Sequence, residues 1–411
     1  MKRIASFALA AFVMPTFAKV APNTVSVQTD EDRFTVVSYK VSDAASIVTF
    51  DVMTNGVSIG PEALSTARGD VYKLVQPSAE SRSFKIRLDR LLPDKIFESG
   101  AFAVNVTAWP TNDPPNYMVV DLVTNNDVRV PAITYYPSVK HLPNGGLANR
   151  NYAKTKLVMR KIPAAYRRWQ MGNIADKNVH DVILTENYYM AIYELTGAQQ
   201  EYMNGRTGST SEIPGVSSYK GWRGLDWPTG GHAGAAGALT TYRNYTGLEL
   251  DLPTEAQWEF AARAGEYEHS LYNGKDLVVT DNLAPMLDDI AWYGYNSKNA
   301  SGKCERKPVG LLNPNKFGLY DMLGNVQEFC LDYYRNPMPG PATVEIDPVG
   351  GTSGNRAIRG GSYNHEANMC SLISRTALDP NWSNDGKSGV DGTAATGTMG
   401  ARLVCPAIAV R

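Results

Sequence analysis

Between residues 24 and 135 hydrophobic and polar positions alternate in short runs. "RFTVVSYKV" (33–41), "SIVTFDVMTNG" (46–56), "SFKIRLDRL" (83–91), "AFAVNVTAW" (101–109) and "YMVVDLVTN" (117–125) are rich in β-branched and aromatic residues. Asp, Asn, Gly and Pro punctuate them. Phe84-Lys85-Ile86-Arg87-Leu88 shows the period of two plainly. Successive side chains of a strand point to opposite faces, so such a run has one dry face and one wet face. Runs at this spacing predict an all-β sandwich of immunoglobulin or fibronectin type over 24–135. The stretch "PSVKHLPNGGLANRNYAKT" is rich in Pro, Gly and Asn, and predicts a linker over 136–155.

From residue 156 to 411 the texture changes. Glycine becomes frequent, and two short helices are marked by their ends. In "TGAQQEYMNG" Thr196 stands at an N-cap position, Gln199 follows three residues on, and Gly205 closes the run. "PTEAQWEFAARAG" repeats the pattern with Thr254, Gln257 and Gly265. Both are capping boxes with a glycine stop: the threonine oxygen accepts an orphan backbone N–H, and glycine accepts the left-handed turn. "GALTTYRNYTG" predicts a third helix. The segments around them, rich in Trp, Tyr and Asn, are irregular. The expected class is therefore α+β, a β-sandwich followed by a domain of short helices and long loops.

The length of 411 residues suits two domains, and 43% hydrophobic content gives each a core. Lys plus Arg number 40 against 41 Asp plus Glu, a net charge of −1. No basic face follows from that balance, so nucleic acid is not an expected partner. The opening "MKRIASFALAAFVMPTFA" has a basic start, an apolar run too short to span a bilayer, and a small-residue ending; it reads as a signal peptide over 1–18. The expected location is secreted, periplasmic or cell-surface, with no transmembrane segment in the mature protein. In such a compartment Cys304, Cys330, Cys370 and Cys405 are disulfide candidates, with three possible connectivities. None of them forms a CxxC pair, so structural zinc is not expected.

The motifs "VILTENYYMAIYELTGAQQEYM" (182–203), "LPTEAQWEFAARAG" (252–265), "GLYDMLGNVQEFCLDYY" (318–334), "RAIRGGSY" (356–363) and "GARLV" (400–404) resemble, in this order, those of the sulfatase-modifying-factor family. That family includes the formylglycine-generating enzymes. The resemblance covers about 156–405 and implies a variant of the C-type lectin fold. It also implies a chemistry: oxidation of a sulfatase cysteine to formylglycine by O2, at a copper ion held by two cysteines five positions apart. Soft thiolates suit copper(I). Here Ser362 matches the family's active-site serine and Cys370 its second cysteine, but His365 occupies the first cysteine position. Gln327 stands where the family has a tryptophan lining the oxygen pocket. The iron-dependent relatives use a histidine set, and no HxxxH or HxxE pair occurs here.

The resemblance further implies calcium. Asp321 and Glu328 would supply carboxylates, and the carbonyls of Gly324 and Val326 neutral oxygens, as a hard cation requires. At the family's second such site Asn282 is in place, but a later acid is not. Arg359, Arg375 and Arg402 are expected to be buried partners of acids, and Trp258 and Phe260 to be core. With His365 replacing the first thiol, the family geometry suggests a Cys330–Cys370 disulfide, Cys330–Cys405 being the alternative. Two functions stay open: an oxidase working through Cys370 and His365, and a non-catalytic module binding a peptide, protein or glycan ligand. The substituted copper ligand favours the second.

Overall fold

The computed structural model describes residues 19–21, 24–61, 67–91, 102–124, 130–173, 178–214, 237–378 and 398–410. The proposed signal peptide at 1–18 lies outside the described residues. The chain is α+β, mostly sheet with few helices. It divides into two compact units, residues 1–114 and 115–410.

The first unit is built on two antiparallel sheets. In one, β1 (Thr35–Tyr39) pairs with Ser26–Thr29 and with the later strand Arg82–Ile86. In the other, β2 (Ser46–Thr54) pairs with β4 (Phe102–Pro110) over nine residue pairs; Arg82–Ile86 is β3. The alternation read in the sequence decides which side chains meet. Val37, Tyr39, Phe84 and Ile86 are buried from the first sheet, and Phe50 and Val52 from the second. The Phe50 and Phe84 ring centroids are 4.3 Å apart, so the two sheets share one core.

The boundary lies earlier than the sequence suggests. β5 (Tyr117–Asp121) and β6 (Ala132–Tyr136) belong to the second unit, where β5 lies between β6 and β7 (Lys156–Ile162) in antiparallel register. Their local pattern is that of any strand; only the partner, distant in sequence, assigns them. The segment expected to be a linker over 136–155 is likewise folded. It makes three 3-10 turns, Tyr152 is buried, and the Ala153 carbonyl accepts a 2.8 Å hydrogen bond from the Thr196 hydroxyl.

Next come β8 (Arg167–Asn173), β9 (Asn178–Leu184) and β10 (Tyr188–Ala191), then the helices α1 (Gly197–Met203), α2 (Ala238–Thr246) and α3 (Glu255–Arg263). Both capping boxes form: Thr196 accepts from the Gln199 backbone and Thr254 from the Gln257 backbone, with the glutamines reaching back. α3 ends one residue before the expected glycine, with Ala264 itself left-handed at φ 47°.

The remaining strands are β11 (Ala291–Trp292), β12 (Leu323–Gly324), β13 (Gln327–Tyr333), β14 (Val344–Ile346), β15 (Arg356–Arg359), β16 (Arg375–Leu378), β17 (Met399–Gly400) and β18 (Val404–Pro406). Three sheets organise the unit. One runs β6-β5-β7-β10-β18, a second β16-β15-β13-β17, and the third β8-β9-β14. Trp258 and Phe260 of α3 are buried as expected, and Trp169 of β8 meets Phe260 edge-on at 5.5 Å.

Buried charges hold these layers in register. Glu259 of α3 accepts from Arg263 Nε at 2.8 Å, from the Gly172 backbone of β8 at 2.9 Å, and from Arg359 of β15 at 2.6 Å. Arg375 of β16 binds both oxygens of Glu255, at 2.5 and 2.7 Å. Taking ions out of water is costly unless they are paired and hydrogen-bonded, as these are at every group but Arg359 Nε, which has no partner. The arginines are thus structural, as expected.

Candidate functional site

The loop after β15 is shaped by two glycines. Gly360 and Gly361 have φ of 92° and 74°. A Cβ on Gly361 would fall 2.6 Å from Cys370 Sγ and 2.7 Å from the Met369 carbonyl. Only glycine fits both the left-handed backbone and the close approach. The turn delivers Ser362, whose Oγ lies 2.9 Å from His365 Nδ1. The His365 carbonyl accepts from the Gly294 backbone at 2.8 Å, which anchors this loop to the segment after β11.

Cys370 ends a short 3-10 turn, Ala367–Met369. It has no solvent exposure, and burial pushes its thiol up to about 12. The structure thus brings Ser362, His365 and Cys370 together on one loop. It does not supply the two adjacent thiols that the copper chemistry uses, so this donor set does not fit a bis-thiolate copper site. Gln327, at the position expected to line the oxygen pocket, is buried in β13, with its amide 3.5 Å from Thr376 Oγ1.

The cysteines correct one expectation. All four are free, so the Cys330–Cys370 bond is not formed. Cys330 sits inside β13, on the face that Glu328 and Asp332 share; burial, then the charges of Glu255 and Asp332, raise its pKa. Cys370 is packed instead under Gly361. Cys405 is buried with its sulfur 3.9 Å from Met159 Sδ, which leaves the alternative partner elsewhere too. Cys304, half-buried, donates to the Gly294 carbonyl at 3.1 Å. The Gly294 backbone also donates to the His365 carbonyl, so Cys304 is joined to the Ser362–His365 loop through that one residue.

The loop expected to hold calcium is a knot of buried acids. Asp321, left-handed at φ 54°, accepts from the Gly310 backbone through Oδ2 at 2.7 Å. Its Oδ1 is buried with no hydrogen-bond partner. Burial pushes its carboxyl up to about 6. Glu328 accepts from Trp258 Nε1 at 2.7 Å and from Arg402 at 2.8 and 3.0 Å. Glu194, which follows β10, was not singled out by the sequence. It accepts from Asn325 Nδ2 at 2.7 Å and the Val326 backbone at 3.0 Å, and burial raises its pKa well above the usual range. An acid inside the apolar run "YYMAIYELT" was the available signal. Three buried carboxylates, Glu194, Asp321 and Glu328, thus share one guanidinium, Arg402. Asp321 Oδ1 is left open, but among the described residues no three or more His, Cys, Asp or Glu side chains are placed together to hold a metal ion. Near Asn282, also left-handed at φ 65°, the Tyr293 hydroxyl accepts from the Ala284 backbone at 3.2 Å, and no calcium cluster is assembled there among the described residues.

The chain belongs to the sulfatase-modifying-factor family: the model of the sulfatase-modifying factor enzyme 1-like domain matches residues 158–389. The formylglycine-generating enzyme of Streptomyces coelicolor is 33% identical over 148 residues, 34% of this chain and 44% of that protein. The inactive C-alpha-formylglycine-generating enzyme 2 of Mus musculus is 31% identical over 129 residues, 30% of this chain and 38% of that protein. The chain thus spans less than half the length of these relatives. Among solved structures, Treponema denticola variable protein 1 is similar at 21% identity and a TM-score of 0.45, covering 61% of this chain and 95% of that one.

Proposed function

We propose that this chain is a divergent member of its family that does not oxidise cysteine and uses its lectin-like scaffold to bind a peptide, protein or glycan ligand. The observation that carries the reading is the loop itself. His365 stands where a copper-binding thiol is required, its Nδ1 is engaged by Ser362, and Cys370 is fully buried. A fold shared with enzymes does not confer their chemistry; the site must supply it. Exposed aromatics such as Tyr295 and Tyr166 suit stacking on a sugar face or a peptide.

In this reading a calcium ion belongs to the acid loop. Asp321 Oδ1 is its first ligand, and the carbonyls of Gly324 and Val326 and the carboxylate of Glu328, shared with Arg402, complete the set. The ion would balance buried charge and fix the loop that supports the Gly360–Gly361 turn, since the Gly324 backbone donates to the Gly360 carbonyl at 2.8 Å. Export through the 1–18 signal, and an immunoglobulin-type kinship of the first unit, are parts of the same proposal. No helix among the described residues is long and apolar enough to cross a membrane.

The second reading is a formylglycine-generating oxidase. It is favoured by the relatives of that name and by the retained Ser362 and Cys370. Alkylation of the native protein, read cysteine by cysteine by mass spectrometry, separates the two. The binding reading expects Cys304 to label first and Cys370 only on unfolding. A Cys370 that labels at the rate of an exposed thiol would overturn it.

A further inference from the structure

A cleft of about 680 Å³ opens in the second unit and shares no residue with the Ser362–His365–Cys370 loop. Its floor is apolar: Leu184, Leu252 and Val404 line it and are themselves buried. Its rim is acidic. Glu186, in the turn between β9 and β10, and Glu249, between α2 and α3, are both exposed. Neither makes a hydrogen bond or an ion pair among the described residues.

The other charges at the cleft are already matched. Asp347 accepts from the Thr185 backbone and hydroxyl at 2.9 and 2.6 Å. Asp251 holds Arg243 at 3.0 Å, and Arg243 is the single basic residue of the lining. Four carboxylates therefore face one guanidinium that is already spent. The field of Glu249 reaches the cleft interior: after burial, it is what raises the thiol of Cys405, another lining residue.

An apolar floor beneath unpaired carboxylates is complementary to an amphipathic cation. An alkyl stem covers apolar surface while its charged head stays at the rim. A volume near 680 Å³ also falls within the roughly 300–1,000 Å³ of small-ligand pockets. We propose that this cleft binds primary alkylammonium groups, with the stem on Leu184, Leu252 and Val404 and the ammonium between Glu186 and Glu249. Lysine side chains of an extended peptide and free polyamines present this same chemistry. Arginine is a poorer match, because its planar guanidinium seeks a bidentate carboxylate, and the rim acids come singly from separate segments.

Isothermal titration of the full chain tests the assignment, with spermidine and a lysine-containing peptide as probes. Saturable binding is expected that weakens with added salt, and that falls roughly tenfold or more in the Glu186→Gln/Glu249→Gln double variant. Both positions are exposed, and circular dichroism checks that the variant is folded. The peptide with its lysines acetylated should not bind. Binding of spermidine without the peptide assigns the cleft to free polyamines, and binding of both assigns it to the lysine chemistry in general. No saturable binding of either probe, equal affinity in the double variant, or equal binding of the acetylated peptide would each overturn the proposal.

Discussion

Ser362 Oγ lies 2.9 Å from Nδ1 of His365, so the imidazole at the first position after the paired glycines is tied to the serine of its own loop. That contact fixes the ring while the only nearby chain-local thiol, Cys370, is buried below Gly361. The loop keeps the family's shape and loses its pair of soft ligands. Its consequences, and those of the charges that support it, are open to measurement.

Glu259 joins α3, β8 and β15 through Arg263, Gly172 and Arg359. Replacing it by Gln leaves Arg263 buried without its counter-charge and Arg359 with only Glu255, 3.6 Å away. The expected loss is about 3–5 kcal/mol, the cost of leaving a buried charge unpaired. Chemical denaturation of Glu259→Gln checks it; a variant within about 0.5 kcal/mol of the parent, the usual effect of a surface change, would remove Glu259 from the core of the account.

Asp332 gives a pH dependence with a definite sign. Burial, then the charge of Glu255, pushes its carboxyl up to about 7 from its ordinary value of 3.8. The folded state therefore binds a proton more tightly than the unfolded chain. Its contribution to stability is fully present below about pH 3.8 and is lost as pH rises through about 7. Asp332→Asn keeps an oxygen to accept from the Glu255 backbone and no longer ionises. The variant should melt higher than the parent at pH 8, and the difference should vanish toward pH 4. A variant that is less stable at pH 8 would show that the ionised carboxylate is tolerated in place.

Much of this was legible in the chain. The capping boxes at Thr196 and Thr254 form because a local rule decides them, and the alternation at 33–41 and 83–91 fixes which faces of the first unit are dry. The role of Arg359, Arg375 and Arg402 was also readable. What was not legible depends on contacts far apart in sequence. Tyr117–Asp121 reads as a strand of the first unit, but its partner is Lys156–Ile162. The Gly- and Asn-rich 136–155 reads as a tether, but Tyr152 is buried and Thr196 binds Ala153. The disulfide expectation failed for a similar reason, since only the packing shows that Cys330 lies inside a strand and Cys370 beneath a glycine turn. Glu194 escaped notice because a single acid in an apolar run does not reveal that it will meet Asn325 and Val326.

Calcium is tested by heat. An ion that binds only the folded state stabilises it, by about 2.7 kcal/mol at a hundredfold excess over Kd. Chelation should lower the melting temperature of the parent, and added calcium should restore it. Asp321→Asn should melt identically in chelator and in calcium. Superimposable curves for the parent in both conditions would remove calcium from the acid loop.

The most direct test of the central claim is turnover. The protein is loaded with copper(I) under reducing conditions and incubated with oxygen and a cysteine peptide of sulfatase sequence. Aldehyde formation is then followed by mass spectrometry and by hydrazide capture. An unchanged cysteine in the peptide is expected, because His365 and Cys370 do not make a two-thiolate centre. Multiple-turnover conversion of the peptide cysteine to formylglycine, abolished by Cys370→Ser, would contradict it and establish the chain as an oxidase.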